Sequence, residues 1–223
     1  MSDKKVTKRT RRIVMPYIHL FESASIAIQQ AENSEENQFH NCMTTILFSA
    51  FCIESYLNHI GMKYFKHWEH IEKDLNPKKK LLFIADECME FSPDFSRRPF
   101  QSFTEIFSFR NTLVHGKTEE IENVIVQKTT EQEIPPLTKW EKLCCTVESV
   151  KKLYSDTQEM IRTLHSHTPD TRDDPFRVDI AWATDIIYDE HTFDEFPPAS
   201  ELLEDWETKQ HTLASYRASK KAS

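Results

Sequence analysis

Arg110, Asn111 and His115 are the residues whose types and spacing can do chemistry in this chain. A guanidinium grips phosphate oxygens with a planar fork of donors. An imidazole titrates near pH ~6.5, so it can take and return protons in neutral solution. On a helix turning 100° per residue, Asn111 and His115 lie about 40° apart, and Arg110 borders their face from the other side. A cation, an amide and an imidazole then converge on a phosphate-sized target. The same spacing also describes an ordinary helix C-terminus, where a basic residue and a histidine sit favourably against the dipole.

The three residues close the stretch Pro99 to Gly116. Phe100, Phe103, Ile106, Phe107, Leu113 and Val114 recur there at the spacing of a helix face committed to a core. Pro99 suits the first turn of that helix, and Gly116 suits the left-handed position just past its end. A second apolar run, Ala50 to Gly61, carries one acid, Glu54. A carboxylate among apolar residues needs a partner. Glu54 is therefore either a support for Arg110 or half of a structural ion pair, and spacing does not separate the two.

The hexapeptide Arg110-Asn111-Thr112-Leu113-Val114-His115 resembles the signature of the HEPN superfamily, an arginine and a polar residue followed a few positions on by a histidine. The run around Glu54 resembles an earlier helix of that family, and the similarity spans roughly residues 15 to 166. The resemblance implies a four- to five-helix bundle that forms a homodimer, so that two such motifs face one cleft. It implies metal-independent cleavage of RNA, without cofactor, of the kind found in toxin–antitoxin and antiviral systems. In that chemistry the 2′-hydroxyl is the nucleophile, His115 the general acid or base, Arg110 the partner of the phosphate and its transition-state charge, and Asn111 an orienting group. Lys117, Arg97, Arg98, Lys78, Lys79 and Lys80 are the candidate further contacts to RNA, although charge runs more commonly form solvated faces. The superfamily also holds non-catalytic modules that use the fold to dimerise or to bind a regulatory protein, and in such a module Arg110 and His115 are structural.

Apolar periodicity predicts the scaffold that must carry these residues. One helix runs from Pro16 to between Asn33 and Asn37, and a second, apolar nearly all round, from about Glu36 to Gly61. Met62 to Leu75 reads as short helix and connector. Asn76-Pro77 opens a helix to about Glu90 with Leu81, Leu82, Ile84, Ala85, Cys88 and Met89 inward. After a loop over residues 117–136, with at most a short strand at Val124 to Val126, the capping box Thr138 to Glu141 launches a long helix to about His165. His67 with His70, and His165 with His167, are weak metal pairs without a third ligand, and His165 and His167 read as surface.

Composition removes several alternatives. Only 2 glycines occur in 223 residues, too few and too far apart for a glycine-rich phosphate loop, and both read as helix stops. The five cysteines show no paired spacing for zinc or a disulfide framework, which suits a reducing cytoplasmic location. No run reaches the length of a bilayer span, so no membrane contact is expected. The net charge of −8 argues against a polyanionic partner, but its distribution weakens that argument. Thirteen acids against two arginines crowd residues 170–207, leaving the remainder slightly basic.

The expected organisation is all-α: a basic arm over 1–14, a HEPN-like bundle over 15–167 and an acidic, aromatic-containing extension over 168–223. The extension's aromatics predict that it packs partly against the bundle or a partner.

Overall fold

The structure, a computed structural model, describes residues 14–118, 120–121, 136–169 and 174–177. The expected basic arm, the strand at Val124 to Val126 and the aromatic acidic segment beyond Arg177 lie outside these residues. Among the described residues the protein is all-α. The helices are α1 (Pro16–Asn33), α2 (Gln38–Tyr64), α3 (Trp68–Ile71), α4 (Pro77–Met89), α5 (Phe100–Val114), α6 (Lys139–Cys144) and α7 (Val147–Ser166), with a 3₁₀ turn at Glu72–Asp74. None of them is long and apolar enough to cross a membrane.

Helix α2 is the axis of a four-helix bundle. From Asn41 to Gly61 it has no exposed residue, as its apolar circumference predicted. Helix α1 runs antiparallel to it: Gln38 Nε2 donates to the Ala31 carbonyl at 2.9 Å, and near the other end Cys52 Sγ donates to the Tyr17 carbonyl at 3.2 Å. Helix α7 runs antiparallel to α1. Lys151 pairs with Glu32, Tyr154 stacks on Phe21 with ring centroids 4.8 Å apart, and His165 meets Tyr56 of α2 at 3.4 Å. Helix α5 closes the bundle beside α2 and α7, and α4 lies against α2.

A buried carboxylate anchors the start of α5. Asp156 of α7 accepts hydrogen bonds from Ser102 Oγ and from Arg98. A buried carboxylate is tolerated only with such donors. Arg98, whose side chain is 35% exposed, thus pairs with Asp156 at the rim of the bundle.

The two glycines do not stop helices in the predicted way. Helix α2 continues past Gly61 to Tyr64, and the missing side chain of Gly61 makes room for the indole of Trp68. No described glycine has a positive φ; the left-handed positions are held by Asn37, His67 and Glu90. Helix α5 ends at Val114, two residues before Gly116, with His115 at its C-cap. The long helix predicted from Thr138 is two helices with a break at Cys145 and Thr146, although the capping box is formed as expected. Thr138 Oγ1 and its backbone N–H both donate to Glu141 Oε2, which holds that carboxyl below its usual value.

Individual positions differ too. Leu82 and Val114, expected inward, are 41% and 55% exposed, whereas Phe109 is buried. His165, expected on the surface, is buried at 4% exposure.

The first described part of the C-terminal region is docked. Tyr17 Oη donates to the Pro175 carbonyl at 2.8 Å. Phe176 stacks on Phe21 at 4.1 Å, and Arg162 reaches both Asp174, at 3.3 Å, and the Phe176 ring. Tyr154, Phe21 and Phe176 thus form one continuous aromatic stack.

All five cysteines are free thiols. Burial pushes the Cys52 thiol up, and it pushes Cys144 up to about 12 with help from neighbouring Cys42 and Cys145. Burial raises Cys42 as well, with Cys145 adding to it. Only the thiolate alkylates, and Cys145 is the exposed member of the five. Native protein treated with iodoacetamide at about pH 8 is therefore expected to take up one label, at Cys145. Rapid labelling of Cys42, Cys52 or Cys144 before unfolding contradicts this packing.

Candidate functional site

Arg110 lies in the last turn of α5, facing α2 because Phe103, Ile106, Phe107 and Phe109 commit the rest of the helix to the core. Its Nη2 donates to Glu54 Oε2 at 3.4 Å, and its Nη1 donates to Asn111 Oδ1 at 2.9 Å. Arg110 and Glu54 are each 24% exposed in their side chains, so the pair sits at the edge of the bundle. The arginine, amide and carboxylate named from sequence thus meet in one cluster. Asn111 orients the arginine in this arrangement, through its side-chain oxygen.

His115 follows one helical turn after Asn111, and its backbone N–H donates to the Asn111 carbonyl at 3.0 Å. Its side chain is exposed, and no described residue hydrogen-bonds to the ring. The imidazole therefore projects at the open end of α5, beside exposed Asn111, Val114 and Lys117. Arg110 is held, whereas His115 is free to meet something that arrives. Such a division suits an anion gripped by one residue and a proton moved by the other.

The basic residues named as further contacts separate into two groups. Lys78, Lys79, Arg97, Arg98 and Lys117 are exposed. Of these, Lys78 lies over the Phe95 ring at 4.5 Å, and Arg97 pairs with Asp94 at 3.6 Å. Arg98 is bound to Asp156 as described above. Lys80 corrects the expectation: it is 5% exposed. Its Nζ donates to Asn58 Oδ1 at 2.9 Å and to Glu72 Oε2 at 3.4 Å, and stands 3.5 Å from Glu54 Oε1. A lysine so enclosed is not a surface phosphate contact.

Lys80 joins the Arg110 cluster through Glu54, whose two oxygens are divided between two cations. Asn58 and Glu72 were not singled out by sequence, and Lys80 was named only as a contact to RNA, but a signal for the cluster existed. Asn58 is four residues after Glu54 on the same face of α2, and Lys80 stands four residues before inward Ile84. Asp156 had the same kind of signal, between Leu153 and Met160 on the buried stripe of α7.

His67 and His70 have ring centroids 6.3 Å apart. Among the described residues no three histidine, cysteine or acidic side chains are grouped so as to hold a metal.

No family model, no curated protein and no solved structure matches the chain.

Proposed function

We propose that the protein is a metal-independent endoribonuclease of HEPN type, acting through a composite site formed by two copies of the chain. The observation that carries this reading is the pairing of Arg110 with Glu54 across two helices, with exposed Asn111 and His115 at the same helix end. In the proposed reaction the 2′-hydroxyl of RNA attacks the adjacent phosphorus. One His115 takes the hydroxyl proton, and the His115 of the second copy protonates the leaving 5′-oxygen. Arg110 stabilises the charge that builds on the phosphoryl oxygens. A 2′,3′-cyclic phosphate and a 5′-hydroxyl result. One chain supplies one such histidine, so the acid–base pair requires a dimer with its axis near His115. Exposed Val114 beside that histidine gives the interface an apolar contact. A cytoplasmic toxin or antiviral effector, held in check by a protein partner, fits this activity.

The experiment replaces a single nucleotide at a mapped cleavage site by its 2′-deoxy form. The proposed mechanism predicts that cleavage stops at that position and continues elsewhere. Continued cutting there assigns the nucleophile to water and overturns the mechanism. Light scattering is expected to show a dimer at micromolar concentration; a monomer that still cuts contradicts the composite site.

One observation favours a second reading, a non-catalytic dimerisation or partner-binding module. The ionic cluster Arg110, Glu54, Lys80 and Glu72 ties α2, α4 and α5 together, and in this reading that is its whole purpose.

A further inference from the structure

An arginine and a carboxylate left to themselves close as a two-bond fork, at 2.7–2.9 Å for charge-assisted contacts. Arg110 and Glu54 do not. They share a single contact of 3.4 Å, and Arg110 Nε is buried with no hydrogen-bond partner among the described residues. A buried donor left open is costly, so something must hold the carboxylate away from it.

The other oxygen of Glu54 faces Lys80 at 3.5 Å, and Lys80 is itself fixed by Asn58 and Glu72 within a nearly closed site. Glu72 adds a second negative charge next to the lysine, so the ammonium stays where it is and keeps drawing on Glu54 Oε1.

We infer that Lys80 is the positioning residue of the Arg110 site: by holding one oxygen of Glu54 it prevents the fork from closing and leaves the guanidinium able to exchange Glu54 for a phosphate oxygen. The inference rests on the ribonuclease reading for its consequence, but the division of Glu54 between two cations can be measured without any RNA. With Lys80 present, an incoming phosphodiester competes with one long contact. Without it, the phosphodiester must break a neutralised, two-bond ion pair. The same lysine that sequence suggested as a phosphate ligand acts on phosphate through Glu54 and Arg110.

The test uses the full chain and follows the Nε–H resonance of Arg110 by NMR, assigned by its disappearance in Arg110→Lys. In Lys80→Met, which keeps the stem and removes the charge, Glu54 is expected to swing onto Nε. The resonance then moves downfield and exchanges more slowly with water. Lys80→Arg, which restores a cation, is expected to return it towards the wild-type position. A structural role for Lys80 lowers the melting temperature but gives neither the shift nor the rescue. An unmoved Nε–H signal in folded Lys80→Met overturns the inference. If that variant fails to fold, Asn58→Ala, which loosens the lysine without removing it, is expected to move the signal in the same direction, and no movement there is equally fatal.

In RNA cleavage, Lys80→Met is expected to raise KM roughly tenfold with a smaller change in kcat, a difference of about 1.4 kcal/mol in binding. Wild-type protein that cuts RNA while the Nε–H signal ignores Lys80 defeats the positioning role and spares the ribonuclease reading. A shifted signal in a protein that cuts no RNA does the reverse.

Discussion

Gly61→Ala is expected to destabilise the protein by about 3 kcal/mol and to lower its melting temperature by roughly 6–12 °C for a chain of this size. The sign alone is informative. In the middle of a helix, replacing glycine by alanine normally gains about 1 kcal/mol in propensity. Here a methyl group at residue 61 would stand 2.1 Å from Trp68 Cε2 and 2.3 Å from Cδ2, far inside contact distance. The indole cannot step aside easily, since it is 1% exposed and packed against Phe65 and Phe83. The overlap therefore outweighs the propensity gain. Combining Gly61→Ala with Trp68→Leu should cost less than the sum of the two single changes, because the second removes the ring that the first collides with. Thermal melts of the four proteins decide the matter. A Gly61→Ala protein that melts at or above the wild-type temperature shows that Trp68 does not occupy the space beside residue 61.

The second large effect is on activity. His115→Ala is expected to lower the rate of RNA cleavage on the order of a hundredfold or more, the usual contribution of a positioned acid or base. It should leave the melting temperature nearly unchanged, because the ring is exposed and no described residue hydrogen-bonds to it. Arg110→Lys keeps the charge but loses the planar fork, so it too should impair cleavage in a folded protein. The cost of Arg110→Ala in stability separates the two readings of the site. A buried carboxylate stripped of its only cation costs about 3–5 kcal/mol. Glu54 is partly exposed and keeps Lys80 at 3.5 Å, so the loss expected here is only about 1 kcal/mol, as for a pair near the surface. Melting temperatures measured beside cleavage rates give the pattern: large losses of rate with small losses of stability support catalysis. Variants that only melt earlier, in a protein without activity, support the binding module.

Periodicity made the main helices legible, because α1, α2, α5 and α7 each bury a stripe that repeats at helical spacing. The acid in α2 and the arginine in α5 could also be paired from sequence, since each stood out against apolar neighbours. What sequence hid has physical reasons. Three successive lysines, Lys78 to Lys80, look alike as a run, but a helix turns 100° between neighbours, so the third points inward while the first two meet solvent. A glycine after an apolar run resembles a stop, yet Gly61 marks a close approach between a helix and an indole that only the tertiary structure supplies. The break at Cys145 has no proline or glycine to announce it, and hydrophobic spacing carries through it unchanged. Arg97 and Arg98 differ because a single carboxylate, Asp156, reaches one of them from a helix 58 residues further on.

Metal-independent cleavage of RNA by Arg110 and His115, as proposed, has a direct test. The purified 223-residue protein is incubated with total RNA in excess chelator, beside His115→Ala prepared in the same way, and the chemistry of any new ends is determined. Fragments with 2′,3′-cyclic phosphate and 5′-hydroxyl termini are expected from the wild type and none from the variant. RNA that survives intact with the wild type, or equal cutting by both proteins, contradicts it.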